Sequence, residues 1–456
     1  MFEKKNINNL FLLFLSFHLI VWTLVPTFSN VNLPLDTIEH LAWASNLDWG
    51  FDKHPPLVAF VLSFFFKIFG NQDWAYYFLS QIFVIVTFFI VFRFSLEFLN
   101  SKKLALLSIF LLEGIYFYNF TTPEFNVNIC QLPFWALSVY FTWRCIKFDK
   151  TSDYILLGLF IGLGILSKYL FIYLLIGIKL LFLYLIKKRK KIKFNYFISG
   201  PLALLILLPH IIWLADNNYS TLIYGLQRTG GIGSFFDHLI YPVTFLLKQI
   251  VLLFPFFLMI FFLLKKIKLK INLKDEKIIF LIFTSAVPII LIFFTSMILG
   301  AKIRTMWMTP FYLFFGVFLI YIFQKNLNKK SLNSFLTVFL FFLILSPAIY
   351  LGVSLSNDKK RTDYPGKEIA RLVQNKWDKN FINEIGIVIG DEWFAGNLSY
   401  HLNSRPKWML NLNNKAYKVG INEGVVYTGN PEVLKKVCPG VFGTIRPVGY
   451  CMIGQK

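Results

Sequence analysis

The segment from Leu33 to Leu57, LPLDTIEHLAWASNLDWGFDKHPPL, packs four acids (Asp36, Glu39, Asp48, Asp52), Lys53, two His and three Pro into a short polar gap. Apolar runs of membrane length lie on either side of it, and similar runs of about 17 to 25 residues recur along most of the 456-residue chain. With 56% hydrophobic residues, 54 Phe and a mean hydropathy of +0.60, the chain reads as an α-helical polytopic membrane protein. The formal charge of +22 does not indicate a nucleic-acid partner. Before residue 350 most Lys and Arg fall in short clusters between apolar runs, as topology signals facing anionic membrane lipid do. Leu10 to Phe28 is long enough to span and lacks a small-residue cleavage site, so it reads as a retained first helix.

Working outward with the charge bias gives about eleven spans and a cytoplasmic N-terminus. Val58 to Gly70, about 13 residues, is too short to span and reads as interfacial or re-entrant. Leu104 to Phe120 and Ile129 to Ile146 read as spans flanking a second outer loop, TTPEFNVN. Tyr154 to Ile186, about 33 residues carrying few charges, is too long for one straight helix and fits a hairpin near Lys168. Residues 1–353 thus form a membrane domain, and parity places 354–456 outside. That tail is polar, and IGIVIG and VVYTG read as strands, each followed by a helix starting near Asp391 and Pro431. A small extracytoplasmic α/β domain results, in which Cys438 and Cys451 can pair. Cys130 and Cys145 read as membrane-helix residues. No Walker loop, dinucleotide fingerprint or zinc spacing is present, which argues against a nucleotide-driven pump or a metallopeptidase.

The polar residues near the outer face each admit two readings. Asp36, with Glu39 three residues on, fits a helix cap, and equally fits a base accepting a proton from an attacking hydroxyl. Lys53 and His54 precede Pro55 and Pro56, whose stiff backbone would aim them at a phosphate; the alternative is headgroup snorkelling. Glu124 is either a second acid at the same site or a solvated loop acid. Lys168 interrupts an apolar run, which is costly unless it meets water or a counter-charge, or lies at the interface. Lys302 and Arg304 sit in a short outer loop, against the usual bias. Asp36, Glu39 and Glu124 could bind a divalent metal, although nothing in their spacing requires one.

LPLDTIEHLAW, WGFDKHPPL, TPEFNVNICQLPFWAL and GLGILSKYL, in this order, resemble the bacterial members of the dolichyl-phosphate-mannose protein mannosyltransferase and aminoarabinose transferase superfamily, the GT-C glycosyltransferases. The resemblance covers most of the chain. It implies a GT-C fold and inverting transfer of a sugar from a polyprenyl-phosphate donor on the outer side of the bacterial inner membrane. The acceptor would be an envelope glycolipid or glycan, such as lipid A or lipopolysaccharide core; a protein acceptor is the alternative within the fold, and a lipid-linked sugar flippase the alternative outside enzymes. By the same resemblance Asp36 matches the general base and Glu124 the second-loop acid. His54 matches a basic position associated with the donor phosphate, and Lys168 the basic residue ending the small-residue helix. Two departures stand out: Thr37 replaces a carboxylate common beside the base, unless Glu39 substitutes for it, and Met306 replaces a His, leaving Lys302 and Arg304 for the phosphate.

Overall fold

The computed structural model describes residues 4–189, 194–230, 234–264, 271–327, 329–357, 359–411 and 422–456. Helix α1 (Lys4–Ser29) leads into the polar gap, which folds as α2 (Leu35–Ser45), a turn, and α3 (Leu57–Phe69). Then come α4 (Asp73–Leu99), α5 (Lys102–Phe110), the single turn α6 (Val127–Cys130), α7 (Leu132–Phe148), α8 (Thr151–Ser167) and α9 (Ile172–Arg189). The second half of the membrane region holds α10 (Ser199–Asp216), α11 (Ser220–Arg228), α12 (Asp237–Leu252), α13 (Phe254–Leu263), α14 (Glu276–Leu281), α15 (Val287–Leu299), α16 (Phe315–Phe323) and α17 (Lys329–Ser356).

One apolar core, rich in Phe, joins these helices; α1 packs on α4 and α17, α4 on α7, and α8 on both α7 and α10. Among the described residues six helices are long and apolar enough to cross a membrane, or eight if each of two bent pairs counts as a span. This departs from the expected count of about eleven. The clearest departure is Leu104 to Phe120: α5 stops at Phe110 and gives way to 3₁₀ turns at Leu111–Gly114 and Tyr116–Tyr118. Such irregular backbone is tolerated at depth when protein encloses it, and here residues 111–115 are buried, with Gly114 pressed against Phe256 and Met259.

The hairpin expected near Lys168 is present. Lys168 has extended dihedrals (φ −165°, ψ 135°) at the end of α8, and α9 follows a 3₁₀ turn. The reversal folds Phe171 back over Gly164, where an added Cβ would stand 2.2 Å from the ring, so only glycine fits.

After α17 the chain forms α18 (Gly366–Asp378), β1 (Ile385–Ile389), α19 (Phe394–His401), β2 (Lys407–Met409), β3 (Gly424–Gly429), α20 (Pro431–Val437), β4 (Val441–Ile445) and β5 (Val448–Ile453). The strands make one sheet in the order β2-β1-β3-β5-β4, parallel at β2-β1-β3 and antiparallel beyond. Trp377, Ile385, Val388 and Val426 fill its core, and a Cys438–Cys451 disulfide ties the end of α20 to β5. This small domain docks on the polar gap. The Val31 and Asn32 N–H groups donate to the Thr362 carbonyl (3.0 and 2.9 Å), Asn32 bonds Asn397 (2.7 Å), and Trp408 N–H donates to Ser45 Oγ (2.8 Å). Gly396 of α19 lies flat on α2, where a Cβ would be 3.2 Å from Ala42 and 3.3 Å from Ile38.

Candidate active site

Pro34, with its fixed φ of −59°, occupies the N-cap of α2, and no side chain caps that end. The capping reading of Asp36 is therefore overturned: Asp36 lies inside the first turn, and Glu39 turns to Lys53 instead. Asp36 N–H donates to Glu124 Oε1 (3.0 Å), and Thr37 Oγ1 donates to the Phe125 carbonyl (3.2 Å), so α2 is fastened to the second outer loop. Thr37 thus ties α2 to the backbone of that loop. Asn126 caps α6 by accepting from the N–H groups of Asn128 and Ile129 (2.9 and 3.3 Å), and its amide donates to Glu124 Oε2 (3.4 Å). The cap sets Asn128 to accept from the buried Lys168 ammonium, which also lies 5.6 Å from the centre of the Trp307 ring.

Burial pushes the carboxyls of both Asp36 and Glu124 above their ordinary range. Lys168, Lys53 and Arg228 oppose that rise at Asp36, whereas the Asp36 charge drives Glu124 further up. Desolvation lowers the Lys168 ammonium to about 7, with Asp36 the charge that opposes the fall. His40 and His54 are driven well below their usual range, chiefly by burial, His40 to about 3. Both rings are neutral at pH 7.

Lys53 is committed elsewhere. Its ammonium bridges Glu39 and Glu392, each at 3.0 Å. Burial raises Glu39 to about 7 against the pull of Lys53. Glu392 comes from the C-terminal domain, and Arg361 of the same region adds positive potential at Asp36. Sequence reasoning assigned neither a role, since more than 300 residues separate them from the polar gap.

A cavity of about 1110 Å³ reaches Thr121, whose carbonyl accepts from the Glu124 N–H (3.4 Å). Tyr116 and Thr121, from the loop that carries Glu124, form one wall. Arg228, Lys248, Lys302 and Arg304 line the remainder, with no carboxylate among the lining residues. Lys302, Arg304 and Met306 all line this one basic chamber. Arg228 joins chamber and acids, since its charge acts on both Asp36 and His54. Among the described residues no group of three or more His, Cys, Asp and Glu side chains is placed to hold a metal ion, so Asp36, Glu39 and Glu124 do not converge as a ligand set.

Residues 53–213 match the family model for dolichyl-phosphate-mannose-protein mannosyltransferase, a stretch that includes Lys53, His54, Glu124 and Lys168. ArnT from Cupriavidus metallidurans in the apo state superposes with a TM-score of 0.66 at 11% identity, over 98% of each chain. The same protein bound to undecaprenyl phosphate gives 0.65 at 12% identity over 97% of each. The chain has the GT-C glycosyltransferase fold. A search of curated proteins by sequence finds no match. Coverage of nearly the whole chain means that the GT-C likeness extends through the C-terminal domain as well as the helices.

Proposed function

We propose that this GT-C protein is an inverting glycosyltransferase that moves a sugar from a polyprenyl phosphate, undecaprenyl phosphate in bacteria, to an envelope glycolipid such as lipid A or lipopolysaccharide core. The observation that carries this reading is the buried Asp36–Glu124 pair, linked through Thr121 and the Arg228 charge to a wide chamber with four cations and no acid. A sugar-phosphate ester straddling that boundary would place its phosphate among Arg228, Lys248, Lys302 and Arg304 and its anomeric carbon toward Asp36. The acceptor hydroxyl attacks that carbon from the face opposite the phosphate, and Asp36 takes its proton. As the carbon–oxygen bond to the phosphate breaks, the electron pair leaves with the phosphate. Fixed cations stabilise the growing charge in a site shielded from water.

Glu124 accepts from the Asp36 N–H and so holds α2 through its backbone. Lys168 supplies an ammonium at the junction of donor and base, and neutral His54 a hydrogen-bond donor. Lys53, bound to Glu39 and Glu392, serves in this reading to clamp the C-terminal domain over the polar gap, and leaves the phosphate to the chamber. A disulfide in that domain favours an oxidising location, hence the outer face of the membrane. The test is mass spectrometry of envelope glycolipids from cells with and without the gene. It is paired with transfer by the purified protein from an undecaprenyl-phosphate sugar. A glycolipid that loses one sugar on deletion is expected; an unchanged glycolipid profile together with no transfer in vitro would overturn the proposal.

A further inference from the structure

The end of the helical bundle opposite the acid pair carries a second concentration of charge that sugar transfer does not use. Helix α9 starts next to Lys168 and, with 18 residues at 1.5 Å each, reaches about 27 Å away. There, Lys147, Arg189 and Lys277 line a cavity of about 530 Å³ between α7, α9 and α14. Next to it Lys187, Lys188 and Lys274 line another of about 650 Å³. These six cations face two carboxylates, both engaged within the fold. Glu276 is taken by Arg189 (2.8 Å) and Lys188 (3.3 Å). Asp275 caps α14 through the Lys277 N–H (2.9 Å) and accepts from Tyr321 (2.7 Å). Among the described residues no carboxylate pairs with Lys147, Lys187 or Lys274.

The cleft is amphipathic. The Lys277 ammonium stands over the rings of Phe98, Trp143 and Tyr321 (5.1, 5.9 and 5.7 Å to their centres), held in place by the Phe98 carbonyl. Ile146, Tyr184 and Leu273, apolar lining residues that stay partly or fully exposed, continue the wall. A soluble phosphate would use the basic rim and leave that apolar wall idle. A molecule with a phosphate at one end and a hydrocarbon chain at the other would use both.

We infer that this cleft binds the headgroup of an anionic phospholipid, with its phosphate on the Lys147, Lys187 and Lys274 side and an acyl chain along Ile146, Tyr184 and Leu273. Each Lys near such a headgroup strengthens binding several-fold, so three acting together predict a preference of roughly 10- to 100-fold. The test is native mass spectrometry of the full-length protein released from nanodiscs containing phosphatidylglycerol and phosphatidylcholine in equal amounts. The wild type should retain phosphatidylglycerol selectively. The Lys147→Gln/Lys187→Gln/Lys274→Gln variant should lose that preference by at least about tenfold, and Lys102→Gln, exposed at the same end but outside the cleft, should keep it. Equal retention by the triple variant would overturn the inference. So would displacement of phosphatidylglycerol from the wild type by millimolar inorganic phosphate, which would make the cleft a site for a soluble anion.

Discussion

Asp36→Asn separates chemistry from architecture at this site. Both hydrogen bonds that fix residue 36 run through its backbone: its N–H donates to Glu124, and its carbonyl accepts from His40 Nδ1. Among the described residues its carboxylate makes no hydrogen bond, and burial opposes its charge. Asparagine should therefore preserve the fold, and the thermal midpoint should stay level or rise. Loss of a general base costs roughly 10²- to 10⁴-fold, or about 3 to 5 kcal/mol in the barrier. A second effect follows from Lys168, whose ammonium is held up by Asp36 against desolvation. Without that carboxylate Lys168 becomes neutral near pH 7, so donor KM should rise while kcat falls. Adding Lys168→Arg to Asp36→Asn should restore KM without restoring kcat, because a guanidinium stays charged. The assay is single- and multiple-turnover transfer from an undecaprenyl-phosphate sugar by protein in nanodiscs, with exposed Asp48→Asn as the control. Turnover by Asp36→Asn within tenfold of wild type, at unchanged stability, would refute Asp36 as the base.

Donor kcat/KM should fall above about pH 7 as the Lys168 ammonium deprotonates, and Lys168→Arg should flatten that limb; a limb unchanged in the variant would remove Lys168 from the donor site. Lys53→Met leaves Glu39 and Glu392 as facing carboxylates with no cation. It should loosen the C-terminal domain by about 1 to 3 kcal/mol, seen as faster proteolysis of the tail, with Glu39→Gln/Glu392→Gln restoring protection. Because Glu39 titrates near 7, the cost should be largest above that pH, where it is ionised, and should shrink as pH falls through 7. The Cys438–Cys451 bridge closes a 13-residue separation, and on the chain-entropy account Cys438→Ser/Cys451→Ser should cost about 3 kcal/mol, read as urea sensitivity of tail proteolysis. A reporter fused after Lys456 should be active only in its extracytoplasmic form.

Periodicity and charge bias made the bundle legible, because a membrane segment declares itself over about 20 residues of local sequence. The Lys168 break and the strands near Ile385 and Val425 were legible for the same reason. The break after Phe110 was not, since its stability comes from Phe256 and Met259 packing on Gly114, a contact between distant segments. Asp36 misled as a cap because Asp and Glu at that spacing carry the N-cap signature, whereas Pro34 takes the position itself. Lys248 was hidden in an apolar run. Nor did anything local foretell that Lys53 would meet Glu392. The acids could be proposed from sequence, but which of them carries the charge depends on burial and neighbours that only the folded chain supplies.

The salt bridge from Lys53 to Glu392 joins the earliest polar segment of the chain to nearly the last one made. Every helix of the bundle is synthesised before Glu392, so a newly inserted molecule cannot complete this contact until its tail has folded. On the proposed function and topology, the onset of turnover in a cell would then mark a tail that has been exported and folded.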